Sequence, residues 1–471
     1  MQKKLLFTLI IFSCVSLSSW RAFAQAPSII QQDSANVLRL PFGFTSIGEE
    51  SFIGFRLQPE LAFGKMGVGL DVPLLFSTQD GSFRTQEFQD GLTGVLRMVR
   101  YFRYGQKKRD KVYFRIGDLT GSYLGTGILM NNYTNSPSFE RRKVGITFDV
   151  RPTDIFGIEG TYSDFRGFNL LAIRPYFRPL ATTDIPILKT LEIGGSFVTD
   201  YTPEAVAANG ELASTRFVKK GMNAFGGDIS LTVLSNSFID VRIFGQYSVL
   251  AKSDTLNNYF NREIADSLAA GRPIRGALSD GYDAGTGLSL GASARINFIA
   301  DIFNLEARLE RLWYSDHFLP QFFDAVYEID KDAKMLALGR AKGINGIYGS
   351  LSAVFLNKVK VTGGLQIPDV VTAETPAFFF MNLDAKDFIP KIMVTGNYVK
   401  GGITNLEDAF TFDNRSLANL RVAYRLNKYL VVGADYRWTF AKVNENGVER
   451  FQATSMVMPY VGLDYPLNFG R

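Results

Sequence analysis

The chain has 471 residues, 46% of them hydrophobic, and is rich in phenylalanine (40), glycine (44) and tyrosine (20), a composition that favours β-strands with tight turns. Its 51 basic and 46 acidic residues are close to balance once the three basic residues among the first 24 positions are set aside. That balance excludes a strongly basic nucleic-acid-binding surface. A single cysteine, Cys14, excludes an internal disulfide framework and cysteine metal sites.

The first segment has the features of a secretory signal peptide. Lys3 precedes an apolar run over 5–12, and Ala22-Phe23-Ala24 offers a small-x-small cleavage site. We therefore predict a signal peptide over 1–24 and a mature chain without cysteine. Lipoprotein processing at Cys14 is the alternative, although more apolar sequence follows that residue.

Beyond the signal, apolar and polar residues alternate over segments of about ten residues. Between positions 288 and 298, for example, the even positions are mostly apolar, and Arg295 and Asn297 stand at odd positions. Alternation of this kind predicts a strand with one apolar face. Such a face covers the core of a soluble sandwich but contacts lipid in a membrane barrel. The strand length and the export signal favour the barrel.

The spacing of the connections predicts the topology. Very short connections are expected at 64–65, 152–154, 235–237, 300–301, 357–358 and 427–428, and long polar segments at 201–221, 251–283, 316–344 and 401–415. This asymmetry is typical of short periplasmic turns and long extracellular loops. Predicted strands begin near 37, 51, 66, 91, 111, 142, 155, 168, 189, 222, 238, 284, 302, 345, 359, 377, 391, 416, 429 and 451.

These elements predict an all-β protein, a transmembrane antiparallel β-barrel of about 20 strands. Weak alternation over 91–142 and 368–400 leaves 18 to 22 strands open. A periplasmic N-terminal segment is expected over 25–36 and a single barrel domain over 37–471, because no long stretch departs from the strand pattern.

The last predicted strand carries an assembly signal. Gly462, Tyr465, Leu467 and Phe469 resemble the carboxy-terminal recognition signal of bacterial outer-membrane barrels, although two residues follow the final aromatic here. The mature chain as a whole resembles the porin-like outer-membrane barrels of Gram-negative bacteria. The resemblance implies an outer-membrane location, contacts with outer-membrane lipid and the barrel-assembly machinery, and passage of small polar solutes. It implies no enzymatic activity.

Charged residues on the polar faces of the strands are candidates for the lining of a pore. An arginine or lysine on the lipid side would cost about 2–4 kcal/mol near the midplane, so these side chains are expected to point inward. They form either the ordinary polar lining of a wide barrel or a field that selects charged solutes. The candidates are Arg115, Lys143, Asp149, Arg242, Arg295, Glu306, Arg308, Glu310, Arg421, Arg425, Asp435 and Arg437.

The stretch from Gly117 to Arg142 interrupts the alternation with glycine, asparagine and tyrosine. It matches no phosphate-binding or dinucleotide-binding motif. A surface loop, a further hairpin and an inward-folded constriction all remain open. In the last case the candidate constriction residues are Asp118, Tyr123, Asn131 and Asn132.

Other loop features allow different functions. His317, the single histidine, follows Ser315 and Asp316, so an outer-membrane hydrolase is an alternative, although an exposed loop histidine without a role is expected. Apolar residues over 259–268 and 322–329 suit loop packing over the barrel mouth, a lid, or a partner surface. A non-conducting scaffold or secretion and assembly accessory is therefore the second alternative. No catalytic, cofactor or metal site can be assigned.

Overall fold

The computed structural model describes residues 36–40, 42–47, 50–85, 88, 98–136, 143–165, 167, 169–200, 222–251, 284–299, 302–325, 327–328, 334, 338, 341–373, 375–386, 388–405, 407–411, 416–445 and 448–466. The signal segment lies outside this range. Within the described residues, no helix is long and apolar enough to cross a bilayer.

The described chain is almost entirely β-structure. The strands are β1 (Val37–Arg39), β2 (Phe42–Ile47), β3 (Glu50–Phe63), β4 (Met66–Leu70), β5 (Val72–Ser77), β6 (Val99–Tyr104), β7 (Val112–Gly117), β8 (Gly145–Val150), β9 (Phe156–Tyr162), β10 (Leu170–Phe177) and β11 (Glu192–Asp200). They continue with β12 (Asn223–Ser235), β13 (Ile239–Leu250), β14 (Gly285–Ile299), β15 (Phe303–Tyr314), β16 (Ile344–Phe355), β17 (Val359–Pro368), β18 (Ala377–Lys386), β19 (Ile392–Ile403), β20 (Ser416–Arg425), β21 (Leu430–Glu445) and β22 (Val448–Pro466). Short 3₁₀ turns occur at Leu188–Thr190 and Glu407–Phe410.

Adjacent strands of the barrel wall pair antiparallel, and the pairing returns to the start. β1 pairs with β22, with Val37 opposite Pro466. β1 and β2 both pair with β3, and so do β4 and β5, so each of these two pairs forms one interrupted wall strand. The 22 strands therefore make a nearly closed barrel of about 20 wall strands. The prediction of an all-β antiparallel barrel of this size is confirmed.

The strand positions also agree with the sequence pattern. Observed strand starts lie within three residues of the predicted ones, except for β6, which begins at Val99 and not near 91. Short connections gather at one end of the barrel, together with Val37 and Pro466. We call this the turn end, and the opposite end, where the longer connections lie, the loop end.

The outer wall is apolar and the inner wall is polar. On β10, Leu171, Ile173 and Phe177 point to one side, while Arg174 and Tyr176 are buried on the other. Leu309 on β15 and Leu351 on β16 are more than half exposed on the outside. An apolar exposed wall around a polar interior is the arrangement of a barrel that lies in a membrane.

Lys400 is a charged residue on the outer wall near the loop end. It is paired with Phe379 of β18, whose side faces outward with Met381. Residues 407–411 fold back over it, so that Lys400 Nζ donates to Thr411 O at 2.7 Å and lies 3.8 Å from Asp408 Oδ1. The lysine is fully buried, and the loop thereby keeps its charge away from the apolar wall.

Neighbouring residues on β20 test the two faces. Leu420 is exposed on the outer wall, and Asn419 is exposed on the opposite side of the strand. Leu420→Arg should lower the free energy of unfolding in lipid vesicles by about 2–4 kcal/mol. Asn419→Arg should change it by less than about 1 kcal/mol, because water in the lumen screens the added charge. Equal losses in urea unfolding would mean that the lipid-facing side is misassigned.

Candidate functional site

The lumen is occupied by residues 118–136, the inner segment, which leave β7 at the loop end and run inside the barrel. The backbone N–H of Gly125 donates to Glu159 Oε1 on β9 at 3.0 Å. Thr126 Oγ1 donates to Gln246 Oε1 on β13, and Arg308 Nη2 on β15 donates to Thr126 O at 3.0 Å. One short tip thus contacts three separate parts of the wall.

A buried charge cluster receives this tip. Arg174 on β10 is fully buried, and its guanidinium donates to both carboxylate oxygens of Asp228 on β12, at 2.8 and 2.6 Å. It also donates to Glu159 Oε1 at 2.8 Å and to Glu192 Oε1 at 3.0 Å. We call Arg174 and these three carboxylates the Arg174 cluster. A planar guanidinium with several donors suits such multiple pairing.

The turn between β6 and β7 adds two lysines from the turn end. Lys107 Nζ lies 2.9 Å from Glu159 Oε2 as an ion pair, and Lys108 Nζ donates to Glu159 Oε1 at 3.2 Å. Lys107 also donates to Tyr123 O and lies 3.7 Å from the Tyr123 ring centroid. The inner segment therefore reaches from the loop end as far as residues of the turn end.

Gly125 is required at the tip. Its φ of 58° lies in the left-handed region that favours glycine. A Cβ at this position would lie 2.8 Å from Arg174 Nε and 3.0 Å from Asp228 Oδ2. The backbone can approach the Arg174 cluster only because no side chain intervenes.

A second polar group fixes the other side of the tip. Arg308 Nε donates to Glu310 Oε1 at 2.6 Å, and its guanidinium lies 4.6 Å from the Phe244 ring centroid. Glu310 Oε2 accepts from Gln246 Nε2 at 3.0 Å and from Ser289 Oγ at 2.8 Å. These polar groups of β13 to β15 are thereby satisfied by one another and by the inner segment.

Towards the loop end, the inner segment packs into an apolar core inside the barrel. This core combines the inner segment with the connection between β15 and β16 and with inward side chains of the wall. Its buried members include Leu124, Leu129, Met130, Tyr133, Leu170, Ala172, Val198, Ala224, Phe318, Phe322, Phe323, Tyr327, Leu338, Tyr348, Phe378 and Phe380. These wall residues come from strands between β10 and β18, so the core fills the loop-end half of the lumen along that part of the wall.

Hydrogen bonds join the two inward connections to each other and to the wall. Met130 and Phe323 form a parallel bridge. Glu328 accepts from Tyr133 Oη at 2.6 Å and from Lys143 Nζ at 2.7 Å. Tyr327 Oη donates to Asp200 Oδ2 on β11 at 2.7 Å. The two connections therefore form one internal unit.

The turn-end part of β14 to β20 differs, because inward charges there are exposed. Arg295 Nε donates to Glu306 Oε1 at 2.7 Å, yet these side chains are 59% and 47% exposed. Lys360 and Arg421 are exposed as well. This part of the lumen near the turn end is accessible to water.

The candidate lining residues thus differ in what they contact and in how exposed they are. Arg115, Asp149 and Glu310 are buried in contacts and line no open space, which the pattern could not indicate. Lys143 and Arg308 hold the inward connections, whereas Arg242, Arg295, Glu306, Arg421 and Arg425 retain partial or full exposure. The side chains of Asp435 and Arg437 lie outside the described ones; their backbones pair with Arg421 and Asn419.

The four candidate constriction residues all belong to the inner segment. Tyr123 is at the tip, and Asn131 Nδ2 donates to Gln321 Oε1 at 3.2 Å. Asn132 has a φ of 54°, and Asp118 O accepts from Arg115 Nε at 2.7 Å. The segment forms neither a surface loop nor a wall hairpin, the two other interpretations of the sequence.

Of the assembly signal, the structure describes Gly462 and Tyr465 on β22. Tyr465 is 45% exposed and stacks on Tyr429, with ring centroids 5.0 Å apart. Leu467 and Phe469 lie outside the described residues.

His317 is half-buried, which corrects the expectation of an exposed histidine. Its neighbours bind backbone groups. Ser315 Oγ accepts from Thr286 N and donates to Asp316 O, both at 2.8 Å, and Asp316 Oδ1 accepts from Gly343 N at 2.6 Å. The described residues contain no group of three or more metal-ligating side chains placed to hold an ion.

No protein-family model matches the chain, and no curated protein matches it. Solved structures with a similar course include the ferric-catecholate import receptor Fiu of E. coli in its open form, at 10% identity and a TM-score of 0.36, covering 94% of this chain and 82% of that one. OccK11 of Pseudomonas aeruginosa has 11% identity and a TM-score of 0.34, covering 93% and 100%. The siderophore receptor PiuA of Acinetobacter baumannii has 9% identity and a TM-score of 0.32, covering 91% and 81%.

The assignment of the fold rests on the strand pairing and the apolar outer wall of this chain. Its architecture is that of a nearly closed antiparallel β-barrel with an apolar outer wall. The sequence pattern identified the wall, but it did not single out Glu159, Arg174 and Asp228 as a cluster inside the barrel. Their inward positions could have been found from the alternation on β9, β10 and β12, but their common contact with Gly125 has no sequence signature.

Two ion pairs of the barrel should respond differently to the same substitution. Glu159→Gln leaves Arg174, Lys107 and Lys108 short of a buried counter-charge, and should lower the free energy of unfolding by about 3–5 kcal/mol. Glu306→Gln disrupts an exposed pair and should cost less than about 1 kcal/mol. Urea unfolding in detergent micelles would measure both. Similar losses would show that the Arg174 cluster is not a buried, organising group.

Proposed function

We propose that this protein is an outer-membrane channel for small polar or charged solutes, with a lumen narrowed by the inner segment. The observation that carries the proposal is the division of the lumen. The inner segment and the apolar core occupy one part, and exposed charges on β14 to β20 line another. A wall of about 20 strands is wide enough to hold both an internal unit and a water-filled passage.

The interior chemistry supports a solute passage. Buried polar groups near the tip are satisfied by direct contacts, whereas Arg295, Glu306, Lys360 and Arg421 remain in contact with water. Exposed charges of both signs in a lumen interact with hydrated solutes and set ion preference. The outer wall, with Leu309, Leu351 and Leu420 exposed, suits an outer-membrane location.

A non-conducting scaffold is the second candidate. The observation in its favour is the apolar core, which occupies the lumen beside β10 to β18 at the loop end and contains fully buried aromatic side chains. A barrel closed in this way would act through its loops. Conductance distinguishes the two functions.

Removing the narrowing should enlarge the passage. Replacing residues 121–135 with a short Gly-Ser linker should raise single-channel conductance in planar bilayers. Gly125→Ala should do so in part, because its Cβ would meet Arg174 and Asp228 and displace the tip. The matched control is Gly81→Ala, also at positive φ but with nothing within 4 Å of the added Cβ.

The same recordings separate the candidates. A barrel that folds but conducts neither as wild type nor after replacement of 121–135 contradicts the channel and favours the scaffold. An increase in Gly81→Ala equal to that in Gly125→Ala would reject the inner segment as the narrowing element.

Charge reversal in the exposed sector should alter ion preference. Arg295→Glu places a second carboxylate beside Glu306, so reversal potentials in a salt gradient should shift toward cation preference. Lys428→Glu, in the exposed turn between β20 and β21, serves as the control and should shift them little. An unchanged reversal potential in Arg295→Glu would show that ions do not pass this sector. Arg308→Glu should shift preference in the same direction, but it also releases Thr126 and is less specific.

A further inference from the structure

A cavity of about 510 Å³ lies at the turn end, beneath the Arg174 cluster. Its lining includes four cationic side chains, Lys108, Arg178, Lys189 and Arg242, and two carboxylates, Glu192 and Asp154. The volume is within the range of sites that hold small molecules. The side chains that line it carry a net excess of two positive charges.

The connection between β10 and β11 builds one wall of this cavity. Thr190 Oγ1 accepts from Thr232 N at 2.9 Å and donates to Thr232 O at 3.2 Å. At this point the register of β12 against β13 shifts between Thr232 and Leu234. The irregular strand thus leaves backbone groups for Thr190, which fixes the adjoining Lys189 at the cavity.

Part of the positive charge is already neutralised. Arg178 donates twice to Glu192 Oε2, at 2.9 and 2.6 Å, and Lys108 donates to Glu159. Asp154 is 76% exposed and lies 3.8 Å from Lys111. Its charge is therefore largely screened by solvent.

Lys189 and Arg242 are in a different position. Arg242 Nη2 donates to Ser230 Oγ, and its guanidinium has further donors. In the part of the chain that the structure describes, no carboxylate pairs with Arg242 or Lys189 within ion-pair distance. Two cations from adjacent elements therefore line one solvent-accessible cavity.

We infer that this cavity is a binding site for a small multivalent oxyanion that enters from the turn end. The guanidinium of Arg242 offers paired donors, and Lys189 offers a mobile ammonium group, so together they can bind two anionic oxygens. Glu192, which accepts from Arg174 and Arg178, closes the inner side. The inference extends the proposed function, because it names the class of solute held in the same lumen.

Inorganic pyrophosphate is the probe. Isothermal titration of the detergent-solubilised wild-type protein should show saturable binding. The double variant Lys189→Gln/Arg242→Gln should bind more than about tenfold more weakly, since it loses charge-assisted hydrogen bonds. Lys358→Gln, which removes a charge from an exposed turn at the same end but outside the cavity, should bind as wild type does. Heat-modifiable mobility on gels checks that each variant is folded.

The site is rejected if wild type does not bind pyrophosphate, if the double variant binds equally well, or if Lys358→Gln weakens binding to the same extent. Conductance is recorded separately on the same preparations. A conducting barrel without pyrophosphate binding rejects the anion site alone. Specific binding in a barrel that does not conduct rejects the channel and retains the site.

Discussion

The interior of this barrel depends on one buried guanidinium. Arg174 cannot lie in a wall of this kind without counter-charges, and Glu159, Glu192 and Asp228 supply them from three strands. Glu159, besides accepting from Arg174, also accepts the backbone N–H of Gly125. The position of the inner segment and the boundary of the turn-end cavity both follow from satisfying that charge.

The interior also separates into layers according to how each is stabilised. Near the loop end, aromatic and aliphatic side chains such as Phe322 and Leu129 exclude water. At mid-height, charge pairing around Arg174 and Arg308 dominates, and below it the cavity is open to solvent. The apolar layer needs no specific partner geometry, whereas the charged layer fixes orientation. The apolar layer buries the inner segment, and the charged layer fixes the position of its tip.

Local pattern was sufficient for the wall and insufficient for its contents. Alternation around Leu290 and Arg295 assigns faces because a strand repeats every two residues, so strand starts could be predicted closely. The register of Gly125 against Glu159, or of Tyr133 against Glu328, joins residues far apart in the chain. The two-residue period of a strand carries no information about contacts of this kind. The glycine-rich break after Gly117 indicated an unusual segment but left its location open. Lys400 shows the converse, since a loop covers a charge that alternation alone would have turned to lipid.

The apolar core has a consequence for biogenesis. Its wall residues include Leu170 and Ala172 from the middle of the chain and Phe378 and Phe380 from much later. Until β18 joins the sheet, the earlier strands carry apolar side chains on both surfaces near the loop end. In such a partly assembled sheet, neither surface near the loop end is fully polar. Its completion depends on contacts between residues far apart in the chain, and such contacts form slowly. We therefore expect insertion of the last strands to be coupled to burial of the interior.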